Sequence, residues 1–278
     1  MISRAGLFIN TYTYYLKNYY RSKSFYLMLL ISILLSILLT YLSYTYLGKL
    51  SSFATGAGVS LNGSNVRERI LGYLWAFVSS YLPVFASVFF GSPAISSEIE
   101  SKTAFHIFTL PIPRSVLLLG KFFASVTASV LILSVFFVVE LVVFQNIFGK
   151  LVIEFGESYL LTLLFILAIS GVTFLVSSIF NKNTYAYITV LITYLLVFYA
   201  GSIIIELLYK VIPYYLLNEA ESITSRVYID INFGITLTSS SPAPASPHSI
   251  ILSALVMFLY FFVSLGLTLM IFERKEVK

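Results

Sequence analysis

Six stretches of this chain are apolar over about twenty residues each, the length an α-helix needs to cross a bilayer core of about 30 Å. They lie at 24–46, 70–90, 116–140, 158–180, 185–206 and 249–272. In hydrocarbon every backbone amide and carbonyl must be satisfied internally, which restricts spanning structures to helices and closed barrels. Runs this long read as helices. The chain is therefore expected to be an all-α integral membrane protein with six transmembrane helices, forming one domain over residues 1–278. Its charge content agrees, at 10% of 278 residues against roughly 25% in soluble domains. The first apolar run is too long for a signal-peptide core and no small-x-small cleavage motif follows it, so it is expected to be retained.

The segment ahead of that run mixes Leu7, Ile9, Tyr14 and Tyr15 with Arg4, Lys17, Arg21 and Lys23. Basic and aromatic residues interleaved over a helix length predict an N-terminal interfacial helix lying on membrane lipid. The plainer alternative is a basic leader that only sets topology. Placing the N-terminus inside puts eleven Lys and Arg residues in inner segments and six in outer ones. That bias predicts cytoplasmic termini in a multi-pass protein of the cell (plasma) membrane. The net charge of +5 follows this topology, and no nucleic-acid partner is expected. An Asn62-Gly63-Ser64 sequon falls in the first outer loop, in keeping with this orientation.

The outer loop between spans five and six alternates cleanly over 226–238. Val227, Ile229, Ile231, Phe233, Ile235 and Leu237 alternate with Tyr228, Asp230, Asn232, Gly234, Thr236 and Thr238. A period of two predicts a strand, and hence a small extracellular β element. A lone strand is unstable in water. A partner strand from the 51–66 loop, a second copy or another protein would be needed, and a hairpin covering the bundle is the simplest form.

Much chemistry is excluded. There is no cysteine, hence no disulfide, thiolate metal site or cysteine nucleophile. Gly120-Lys121 and Gly149-Lys150 lack the upstream glycine and following hydroxyl of a phosphate-binding loop, so the chain is not expected to hydrolyse ATP or to be an enzyme. His106 and His248 fall on opposite sides of the membrane, and no catalytic constellation or metal site is expected. Within the spans, Glu140 and Glu206 lie near outer ends, where they are expected to reach water; the sharper reading has them lining the outer mouth of a path. Proton- or sodium-driven carriers keep ionisable groups near the midplane, which argues against that class.

The inner loop between spans two and three is the exception to the greasy pattern. It runs Ser96-Ser97-Glu98-Ile99-Glu100-Ser101-Lys102-Thr103 and reaches Leu110-Pro111-Ile112-Pro113-Arg114. Ser97 with Glu100 fits a capping box, and Pro111 stops a helix. A short cytoplasmic helix from about Glu98 to Thr109 is predicted. Simpler roles also exist: capping for Glu98 and Glu100, and topology anchoring for Arg114 and Lys121.

At these residues the chain resembles the permease subunit of type-2 ATP-binding-cassette (ABC) exporters. That family shows an acidic residue after span two, then Gly-Thr, a Leu-Pro-x-Ser-Arg turn, and Leu-Leu-Gly-Lys leading into span three. Glu98 and Glu100 take the acidic position here, Lys102-Thr103 stands for Gly-Thr, and Leu110-Pro111-Ile112-Pro113-Arg114 stands for the turn. Leu118-Leu119-Gly120-Lys121 completes the match. Lys102 for Gly and Pro113 for the hydroxyl residue are departures. The six spans and the basic aromatic leader extend the resemblance over essentially the whole chain.

The resemblance implies that the inner loop is a coupling helix docking on a separate ABC ATPase subunit. Its contact residues would be Glu98, Glu100, Lys102, Thr103, Phe105, His106, Pro111 and Arg114. It further implies a second permease copy, identical or paralogous, and a substrate path lined by the first, second and fifth spans. No cofactor is implied on this chain; ATP and Mg would belong to the ATPase. The competing expectation is a non-transporting membrane anchor or assembly factor that binds a partner through its outer strand. A neighbouring gene for an ATPase with a phosphate-binding loop would favour the exporter.

Overall fold

The computed structural model describes residues 4–56, 66–103, 112–149, 153–228 and 245–275, and among these it is helical throughout, with no strand. In chain order the elements are α1 (Arg4–Tyr20), α2 (Lys23–Gly56), α3 (Val66–Gly91), α4 (Pro93–Glu100), α5 (Arg114–Phe148) and α6 (Ile153–Ile179). They continue with α7 (Asn183–Ile192), a π-helical segment Thr193–Ala200, α8 (Gly201–Tyr209), α9 (Leu217–Arg226) and α10 (Pro247–Arg274). Six helical stretches are long and apolar enough to cross a membrane: Lys23–Tyr46, Arg67–Glu100, Arg114–Phe148, Ile153–Ile179, Asn183–Tyr209 and Pro247–Arg274. They coincide with the six expected spans to within about five residues at each end, except that span two runs on through α4 and span three continues to Phe148.

The bundle is organised by burial. The second and fourth spans are each 67% buried, the fifth and sixth only 22%. Thus α3 and α6 form the centre, and α10 packs along α6. Aromatic side chains fill the middle, with Trp75 5.2 Å from Phe136 and Phe122 5.2 Å from Phe174 between ring centroids. The indole N–H of Trp75 is satisfied by Ser43 Oγ at 3.1 Å, which allows its full burial.

The second span breaks at Ser92-Pro93. Proline has no N–H to continue the helical ladder, and neighbouring helices supply the missing partners. Tyr187 of α7 donates to the freed Phe89 carbonyl at 3.4 Å. Ser177 of α6 accepts from the Ile95 and Ser96 amides, both at 3.2 Å, and donates to the Ser92 carbonyl at 2.6 Å. The short α4 is therefore held by the bundle rather than by a cap of its own.

Two sequence expectations fail in the described residues. Ser97 and Glu100 do not open a helix. They close α4, with Ser97 Oγ donating back to the Pro93 carbonyl and Ser101 as the C-cap. The apolar run of span two simply continues helically through them. The expected strand also begins wrongly: Arg226 ends α9, and Val227 and Tyr228 form a turn. Its remainder, 229–238, lies outside the described residues, as does the Asn62 sequon.

Candidate functional site

The described part of the inner loop starts from a buried ion pair. Lys121, on the first turns of α5, is completely buried. Its ammonium bonds Glu98 Oε2 from α4 and donates to the Ala94 carbonyl at 3.1 Å. It also sits 5.0 Å from the centre of the Tyr15 ring on α1, a cation–π distance. Tyr15 closes the triangle, its hydroxyl donating to Glu98 Oε1 at 3.1 Å. Burial, reinforced by the Glu98 charge, raises the Tyr15 phenol above its ordinary pKa, so it stays a donor. A buried charge is costly unless it is paired and fully hydrogen-bonded. Here the two carboxylate oxygens and the ammonium are each engaged, and three helices share the pair.

Gly120, the neighbour of Lys121, explains how α1 comes so close. A Cβ there would lie 2.7 Å from Thr11 Cγ2 and 3.2 Å from the Tyr12 amide nitrogen. Only glycine lets α1 pack directly on α5. The contact is extended by the Tyr12 hydroxyl on Thr127 at 3.0 Å and by Phe8 against Phe123. Arg4, Lys17, Arg21 and Lys23 are all exposed on this unit. The predicted helix over the leader is present.

Glu100 does different work from Glu98. Its carboxylate accepts from the Asn183 amide at 2.9 Å, which fills a free backbone donor at the start of α7 and places negative charge at a helix N-terminus. Beyond it, Lys102 adopts φ 59°, the left-handed conformation of a helix C′ residue that favours glycine. Thr103 is exposed, its hydroxyl donating to the Glu98 carbonyl at 3.3 Å. Phe105, His106 and Pro111 lie outside the described residues. Where the chain resumes, Arg114 does not project freely. It donates to the Glu273 and Lys275 carbonyls, at 2.9 and 3.1 Å, at the end of α10. Lys275 in turn donates to the Ser178 carbonyl at 2.7 Å.

Glu98, Glu100 and Arg114 thus belong to one pinned layer joining α1, α4, α5, α6, α7 and α10. Lys121, given above as a topology anchor, is a corrected reading: it is the buried centre of that layer. A second correction concerns Glu140. Expected to reach water, it is completely buried on α5, and the spans hold more buried charge than their composition suggested. On α9, Glu221 and Arg226 are buried as well and Glu219 is half-buried; the alternation that follows this helix masks it in the sequence. Its 217, 220, 223, 227 apolar spacing was the signal available. Among the described residues no cluster of acidic or histidine side chains is arranged to hold a metal.

Six crossings put the start of α1 and the end of α10 on the same side as this layer, and α9 on the other. A family model described as ABC-2 family transporter protein matches residues 16–277. No curated protein matches the chain. The match takes in Glu98, Glu100, Arg114, Lys121 and all six spans, so the chain belongs to the ABC-2 transporter family, as a multi-pass permease component of an ABC transporter.

Proposed function

We propose that this chain is the permease subunit of an ATP-driven exporter, in which two permease copies form the substrate path between them. ATP and Mg are bound by separate ABC ATPase subunits, and the cytoplasmic 98–110 segment couples those subunits to the spans. The helix α1 lies in the cytoplasmic interface, with Arg4, Lys17, Arg21 and Lys23 toward anionic headgroups. The substrate crosses without any covalent step on this chain.

The observation that carries this reading is the Glu98–Lys121–Tyr15 triangle, together with the Glu100 bond to α7. A force applied to the loop beyond Thr103 reaches Glu98 and Glu100 within a few residues. From there it passes to α1, to span three and to the start of span five through short, mostly buried contacts. Coupling needs a rigid element with two arrangements that both sites bias, and a helix pinned in this way is rigid enough to serve.

The test is co-purification of the chain with a co-expressed ABC ATPase subunit, followed by ATP-turnover measurements on the complex in lipid. Glu98→Lys places a second cation against buried Lys121 and is expected to lower turnover about tenfold. The exchange Glu98→Lys with Lys121→Glu restores the pair and should recover much of it, which separates coupling from misfolding. The chain has no cysteine, so Thr103→Cys offers a clean cross-link to a cysteine in the ATPase groove. If the complex and its turnover survive Glu98→Lys combined with Phe105→Pro, the loop is not the coupling element.

A further inference from the structure

On the side of the bundle away from the termini, α9 folds back against α3, α6 and α10. Between α9, α3 and the fifth span it leaves a polar cavity of about 330 Å³. That is near the lower end of the roughly 300–1,000 Å³ of small-molecule sites. Glu221 forms part of its lining and is only 6% exposed, and its Oε1 has no hydrogen-bond partner. A buried carboxylate at the edge of a cavity is costly unless a counter-charge comes close to it. Nearer the surface the lining adds Glu206 and Glu219, both half-buried, and Tyr73, Tyr81 and Tyr199.

The charge balance selects the ligand. Three carboxyl groups face the cavity against one guanidinium, that of Arg226, which donates to Ser222 Oγ at 3.4 Å. An anion would meet net repulsion. Phenol faces attract cations, most strongly when water is excluded, and recognition of alkylated ammonium groups is their best-attested use. A bare metal ion would leave the tyrosine faces unused. We propose that this cavity binds an organic ammonium ion, with its charged nitrogen against Glu221 and its alkyl groups against Tyr73, Tyr81 and Tyr199. The site needs one chain only, without ATPase or transport, so its failure would leave the permease reading intact.

The binding carries a pH signature. Burial raises the Glu221 carboxyl to about 7. The titratable and charged groups around it are Tyr73 and Tyr81 from α3, Tyr194 and Tyr199 from the π segment, Glu206 from α8, and Glu219 and Arg226 from α9 itself. The helices α6 and α10 meet α9 through apolar side chains such as Leu161, Phe165 and Met257. An ammonium ion favours the ionised carboxylate and so competes with the proton. Affinity therefore rises with pH as Glu221 ionises, by about tenfold between roughly pH 6 and pH 8.

Calorimetric titration of the full chain in maltoside micelles tests this, with choline and its uncharged isostere 3,3-dimethylbutan-1-ol as probes. Choline should bind at least about tenfold more tightly than the alcohol, with the stated rise in affinity with pH. Glu221→Gln should weaken choline binding and flatten its pH profile. Glu206→Gln, at the more open mouth, should give a smaller loss and serves as the second variant if the first melts early. Dodecylphosphocholine in competition identifies the source of the group: tighter than choline means a lipid headgroup, weaker means a free amine. The proposal is overturned if choline and the alcohol bind alike, or if neither binds. It is equally overturned if a Glu221→Gln chain that melts like the wild type binds choline with unchanged affinity and pH profile.

Discussion

Lys121 shows how much a single residue can carry in a bundle of this kind. Its ammonium is fully buried, so removing its counter-charge leaves an uncompensated ion in a low-dielectric setting. Glu98→Ala should therefore destabilise the chain by about 3 kcal/mol, read from unfolding in maltoside micelles. Replacing both members, Glu98→Met with Lys121→Met, should recover most of that loss, because paired apolar groups need no partners. Stability of the double variant with loss of ATPase stimulation would separate the pair's part in folding from the coupling proposed for it. Lys102 presents the opposite case. It holds a left-handed conformation at φ 59° that costs a side-chain-bearing residue about 1–2 kcal/mol. Lys102→Gly should thus stabilise the chain by up to about 1 kcal/mol in the same measurement. An unchanged or lower unfolding midpoint would mean the lysine ammonium makes a compensating contact. The family pattern of glycine at this position had a physical reason that could be seen only once the backbone was known.

At the scale of elements, the spans were readable in the sequence because hydrocarbon forces each of them to be one long apolar run. The leader was readable because basic and aromatic residues alternate over a helix length. What could not be read was where a helix stops when its end is held by other helices. Ser97 and Glu100 look like a helix start, yet α4 arrives there from the N-terminal side, since Tyr187 and Ser177 satisfy the break at Pro93. Those partners are about 80 to 100 residues away, beyond any local pattern. Likewise, Glu140 looks the same in sequence whether it meets water or the bundle. The Gly120-Lys121 pair was recognisable as a pattern without its cause, which is that one residue admits α1 and the next reaches across it to Glu98. Gly120→Ala tests that cause. A methyl group set 2.7 Å from Thr11 and 3.2 Å from the Tyr12 backbone must push α1 outward, at a cost of about 1–3 kcal/mol. Faster proteolysis at the α1–α2 junction, with the rest of the bundle intact, is the expected readout. If α1 stays protected, the close approach is not what holds it.

For the whole molecule, the distribution of burial sets the assembly question. The helices α3 and α6 are central, while α2, the fifth span and α10 present mostly apolar surface outward. Lipid can cover all of it, and a second copy needs only part. The fifth span differs from the others in carrying a π-helical segment, Thr193–Ala200, and such segments frequently mark functional positions. Leu195, Leu196 and Val197 of that segment are exposed, and the ammonium cavity opens beside it through Tyr199. A two-fold dimer is self-complementary, so residues near its axis meet their own copies. In the dimer proposed above, Val197 is then a site where the two chains should approach, whereas Leu259 on α10 should face lipid. Because the chain has no cysteine of its own, Val197→Cys and Leu259→Cys each introduce one reactive thiol. In native membranes, Val197→Cys should give a cross-linked dimer with a short bifunctional maleimide, and Leu259→Cys should not. The reverse pattern would move the dimer axis to α10. It would also leave the π segment and the cavity beside it facing lipid, so that ammonium binding and substrate passage would have to be separate properties of the two faces.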